Sequence, residues 1–228
     1  MLTAIAIVPS PPVMVPELAG AAAAEVADLC TAAVTAAGRL PSRWVAVGVA
    51  AEDAVYGPDT TGTFAGYGVD VAIRLSGAAA GEPEPLPLCA LIAGWLRGLV
   101  ADSASVEVRT WTADTPSAVA VAAGRELRRE LDATQEAVGV LLVADGANTL
   151  TAAAPGGYDP DSVPLQAALD DALAGGECAA LAALPDGIVG RVAYQVLAGL
   201  AEPGPSAAEQ LYHGAPYGVG YVVGVWTP

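Results

Sequence analysis

The chain has a single histidine, His213, in 228 residues. An Fe(II) centre of the two-histidine, one-carboxylate kind takes two neutral imidazoles from one chain, so a single copy of this protein cannot build one. Basic residues are scarce too: nine against twenty-five acidic ones, a net charge of −16. Such a chain repels phosphate backbones and anionic bilayers, which argues against nucleic-acid and membrane-surface partners; solubility is the plain reading of the acidity. Cysteines are few, with Cys30, Cys89 and Cys178 odd in number, widely spaced and without a C-x-x-C pattern. Neither a zinc knuckle nor a disulfide framework is expected, and reduced, mostly buried thiols fit. Long apolar spans are missing as well. Residues 1–15 carry no basic leader and are broken by Pro9, Pro11 and Pro12, while the run 19–24 is followed by Glu25 and Asp28. Neither a signal peptide nor a membrane helix is expected, and the chain is read as cytoplasmic.

What is present is a 54% hydrophobic sequence spread over many short segments, enough for one sizeable core. The apolar runs at 2–8, 43–50 and 137–144 suit strands buried on both faces of a largely parallel sheet. Further strands are expected at 69–75, 105–111 and 218–226, and helices at 17–37, 88–100, 116–131, 163–173, 177–184 and 188–200. The stretch 51–68 is polar and glycine-rich, 76–87 is a surface loop rather than a domain linker, and a long loop runs from Asp145 to Pro164. This alternation predicts one α/β domain over 1–228, with a central, mixed but mostly parallel sheet flanked by helices.

In such a sheet, ligands bind beyond the carboxyl ends of the strands. The segments expected there are Pro9-Ser10-Pro11-Pro12, Ala51-Glu52-Asp53, Asp145-Gly146-Ala147-Asn148-Thr149 and Tyr212-His213-Gly214, the last followed by Gly218-Val219-Gly220-Tyr221.

These segments resemble the class III extradiol ring-cleavage dioxygenases, the LigB-like family that includes Memo-type members. The frame is Pro9, Pro11, Pro12, Pro16 and Glu17 after the first strand, then Gly157-Tyr158-Asp159-Pro160, then Tyr212 with Gly218-Val219-Gly220-Tyr221. The resemblance touches nearly the whole chain in order. It implies a LigB-like α/β fold and, in typical members, iron-dependent ring opening. Carried over position by position, the first iron-binding histidine falls on Ser10 and the second around Ala51 or Glu52. The acid/base histidine falls on Thr149-Leu150, and the C-terminal carboxylate on His213 or Gly214. The reactive positions therefore hold other residues.

The resulting expectation is a catalytically degenerate dioxygenase-like protein without iron or another cofactor, binding a small molecule or a protein partner through a remnant cleft. Cleft candidates are Ser10, Glu52, Asp53, Asp145, Asn148 and His213. Two alternatives stay open. One is altered chemistry in the same cleft, either a Ser10, His213 and carboxylate hydrolase, for which no G-x-S-x-G elbow exists, or a non-iron metal site on His213 with Glu52, Asp53 and Asp145. The other is a structural subunit of a homo-oligomer. Each residue also has a plain role: Ser10 satisfying a neighbouring backbone group, Asp145 and Asn148 capping a turn, Gly218 and Gly220 allowing close packing; Tyr158, Tyr212, Tyr217 and Tyr221 suit the lining of an aromatic-binding pocket and half-buried packing positions equally.

Overall fold

The computed structural model describes residues 1–228. In chain order the strands and helices are β1 (Leu2–Val8), α1 (Pro16–Ala19), α2 (Ala27–Ala37), β2 (Arg43–Ala50), β3 (Ala54–Tyr56), β4 (Thr61–Thr63), β5 (Ala72–Arg74) and α3 (Leu88–Val100). They continue as β6 (Ser105–Thr112), α4 (Ser117–Asp132), β7 (Val138–Val143), α5 (Ser162–Gly175), α6 (Cys178–Ala182), α7 (Arg191–Ala201), β8 (Ala207–Gly214) and β9 (Tyr221–Thr227). Seven strands form one sheet in the order β3-β6-β2-β7-β1-β9-β8, and β4 pairs with β5 outside it. β6, β2, β7 and β1 are mutually parallel, whereas β3, β9 and β8 join antiparallel to their neighbours. This is the expected mixed, mostly parallel α/β architecture.

Continuous apolar sequence explains the centre. All six residues of β7 are buried, so this strand has no solvent face and no alternation to show. One core cluster joins α2 and α3 to the sheet through residues such as Leu29, Leu96, Val8 and Val143. The other joins α4, α5, α6 and α7 to the opposite face through Leu127, Leu169, Tyr194, Ile7 and Trp226. Where α4 crosses α7 the backbones touch: a Cβ on Gly124 would lie 2.0 Å from the Val196 carbonyl oxygen, and one on Gly199 2.0 Å from that of Val121.

Several elements differ from expectation for local reasons. The helix expected over 17–37 is interrupted: α1 ends at Gly20, whose φ of +52° suits glycine, and a 3-10 segment, Gly20–Val26, leads into α2. Pro16–Ala37 is long and apolar enough, by length and composition, to cross a bilayer; here it is broken, and Leu29, Ala33 and Ala36 are buried in the core. The polar stretch 51–68 contains the short strands β3 and β4, and only Ala72–Arg74 of 69–75 is a strand. Strand β8 falls in a stretch with no expected element, since its residues mix polar and apolar types, half of them exposed and none fully buried, as an edge strand allows.

Candidate functional site

The sheet connections create a crevice before any side chain is considered. β1 and β7 lie side by side and parallel. The chain leaving β1 enters α2 on one face of the sheet, and the chain leaving β7 enters α5 on the other. Their first loop residues therefore diverge at the carboxyl edge, which is the switch point where α/β sheets accept ligands.

Ser10 and Asp145 meet there. The Ser10 N–H donates to Asp145 Oδ1 at 2.7 Å, and the Ser10 hydroxyl donates to Oδ2 at 2.8 Å. Burial pushes the Asp145 carboxyl above the ordinary carboxylate range, while the two Ser10 bonds oppose that shift. The pair stands over a hollow of about 200 Å³ whose walls include Val49, Leu88, Cys89, Val143 and Val189. The Cys89 thiol is pushed up to about 12 by burial, so it is a protonated wall residue and no nucleophile. Val189 also borders a second hollow of about 330 Å³, which reaches Asn148 and Arg191. Arg191 is occupied: it donates to Ala113 O and Gln195 Oε1 and lies 3.3 Å from Asp186.

A buried glutamine, for which the sequence raised no expectation, fixes the Asp145 loop from behind. Gln166 of α5 accepts from the Ala147 N–H at 2.8 Å and donates to Asp170 Oδ1 at 2.7 Å. It fits only because two glycines face it, since a Cβ on either Gly146 or Gly220 would come within 2.1 Å of its Oε1. Close packing is therefore the role of Gly220. The β7 exit and β9 entry are also laced together, Gly146 N–H to Gly220 O and Gly220 N–H to Ala147 O, both 2.8 Å. A glutamine on the inner face of a helix was the available signal, but its partners lie in two other loops.

The remaining candidates lie elsewhere. His213 is exposed on β8 in register with Val222, which belongs to the α4–α7 core layer, and its charge is felt by Asp170 of α5. Asp145, at the edge of the sheet, acts on tyrosines of both layers, Tyr221 beside α2 and α3 and Tyr194 of α7, each raised mainly by burial. No hydrogen bond joins His213 to Ser10 or Asp145, so the three form no connected triad. Glu52 and Asp53 are exposed in the β2–β3 turn; Asp53 accepts from the Thr112 N–H, and the Glu52 carbonyl accepts from the Thr110 hydroxyl. They fasten β6 and do not border the Ser10–Asp145 hollow. Asn148 borders the second hollow. Tyr158 is 59% exposed and Tyr221 is buried; neither they nor Tyr212 and Tyr217 line the crevice.

The donor set does not fit the iron that the resemblance implies. No three His, Cys, Asp or Glu side chains converge anywhere in the chain, and the one carboxylate in the crevice is engaged by Ser10 on both oxygens.

No family model and no curated protein matches the chain. Among solved structures, an uncharacterized protein of Escherichia coli K12 is similar over 98% of this chain and 99% of that one, with a TM-score of 0.59 and 10% sequence identity. At that identity the likeness shows a shared fold and nothing about chemistry.

Proposed function

We propose that the protein is a catalytically degenerate relative of the extradiol dioxygenases that binds a small molecule in the crevice above β1 and β7. The observation that carries this reading is the closed Ser10–Asp145 pair. A catalytic serine keeps its hydroxyl aligned for attack on a substrate, whereas here the Ser10 hydroxyl and N–H are both spent on Asp145, with no histidine bonded to either. The surrounding wall is mostly apolar, and a hollow of about 200 Å³ suits a ligand of roughly one ring. Asp145 oxygens keep lone pairs beyond those used by Ser10, so the ligand that fits is neutral, largely apolar and carries one hydroxyl or amine donor.

The test combines metal analysis, turnover and binding. After anaerobic incubation with Fe(II) and desalting, the protein is expected to hold far less than one iron per chain and to leave catechol and protocatechuate intact. Catechol and phenol are expected to shift backbone resonances of the Ser10 and Asp145 loops saturably. Val49→Phe, which puts a ring into the hollow and leaves Ser10 and Asp145 unsubstituted, should abolish that shift. Stoichiometric iron with ring opening, or ester hydrolysis lost in Ser10→Ala, would make the protein an enzyme and overturn the proposal.

A further inference from the structure

The chain has nine arginines and no lysine. Every arginine except Arg74 and Arg97 lies within salt-bridge distance of a carboxylate. In a protein of net charge −16, two cations without a carboxylate contact are unusual, and these two border the same groove. It lies between α1, β5 and α3, has a volume of about 330 Å³, and shares no residue with the Ser10–Asp145 crevice.

Arg97 is only 6% exposed, and its side chain is held rigidly. Nε donates to the Arg74 carbonyl at 2.9 Å and Nη1 to the Asp102 carbonyl at 3.0 Å, leaving Nη2 without an acceptor. Burial lowers its pKa, the Asp102 carboxylate opposes that from beyond contact distance, and the Arg74 guanidinium lowers it further. A desolvated guanidinium bonded only to neutral carbonyls keeps most of its charge uncompensated, and its fixed fork loses little entropy on meeting an anion. Arg74 is exposed and free to close over such a guest. Trp95 and the 55% exposed Leu99 give the groove an apolar wall, and Glu17 on its rim disfavours a second negative charge at that end.

We propose that this groove is a second binding site, for a small amphiphilic anion whose carboxylate or phosphate lies between Arg74 and Arg97 and whose apolar body rests on Trp95 and Leu99. Two charge-assisted contacts from a preorganised and a mobile arginine supply the polar half of recognition, and the indole wall supplies the rest.

Titration of the intact protein with benzoate and phenyl phosphate, followed through the Trp95 indole N–H resonance assigned with Trp95→Phe, tests the site. At least one of the two anions should move that resonance saturably. Benzyl alcohol, which lacks the charge, and inorganic phosphate, which lacks the apolar body, should bind about tenfold more weakly or worse. Arg74→Gln, at an exposed position, should keep the melting temperature and weaken the anion by about tenfold. Arg97→Lys, which keeps the charge but loses the fork, should weaken it as well. Absence of a saturable shift with both anions, or an affinity unchanged in Arg74→Gln, would overturn the proposal and leave Arg97 as a fastener of β5 to the segment before β6.

Discussion

Ser10 gives both of its donors to Asp145, the N–H to Oδ1 and the hydroxyl to Oδ2, across 135 residues of sequence. The bond pair ties the loop leaving β1 to the loop leaving β7 at the point where their helices diverge. Ser10→Ala removes the hydroxyl bond and keeps the backbone one. The expected loss is about 1.5–3 kcal/mol in urea unfolding, the range for a hydrogen bond to a charged acceptor. An unchanged midpoint would mean that water replaces the hydroxyl at no cost.

Asp145 should also leave a mark on the pH dependence of stability. Its folded-state pKa is raised by burial, so the native protein binds this proton more tightly than the unfolded chain does. The corresponding stability is fully present below the unfolded carboxylate value of about 3.9 and is lost as pH rises through the higher folded value. Glu130, Asp132, Glu202 and Glu209 are lowered by arginine bonds and act in the opposite sense. The comparison must therefore be made against Asp145→Asn, by urea unfolding at a series of pH values. The stability of the native protein relative to the variant should decline as pH rises through that window and level off above it. A difference that grows with pH would show that the Ser10 bonds outweigh burial.

Gly220→Ala places a Cβ within 2.1 Å of Gln166 Oε1 and should break the Ala147–Gln166 bond. A cost of about 2 kcal/mol or more is expected, from overpacking together with a lost buried hydrogen bond. Combining it with Gln166→Ala, which frees the space, should cost less than the sum of the two single variants. Additive costs would mean that the two residues do not share the contact.

Cys89 is 4% exposed, and its thiol is pushed up to about 12, so it should resist iodoacetamide at neutral pH until the protein is unfolded. Mass spectrometry of the alkylated peptides reads this directly. Rapid labelling of the native protein would show that the crevice opens wider than the structure has it.

The parallel core was legible because burial on both faces leaves a continuous apolar run, and β1, β2 and β7 each lie within a residue or two of such runs, while β6, buried on alternate residues, falls where a further strand was expected at 105–111. The positions of Ser10 and Asp145 followed from the same reading, since both directly succeed buried strands. The partners of the other candidates could not be read in this way. His213 lies in an edge strand too polar to signal itself, and its side of the sheet depends on the β8–β9 register, where one residue of slip would exchange its neighbours for those of Tyr212. Glu52 and Asp53 follow β2 as expected, but the pairing of β3 with β6 carries them away from the crevice. Gln166 against Gly146 and Gly220, and Arg74 beside Arg97, are contacts between segments distant in sequence. Burial preference is a property of each short segment and is written there; which polar groups meet depends on crossovers, register and helix packing, and only the assembled tertiary structure decides those.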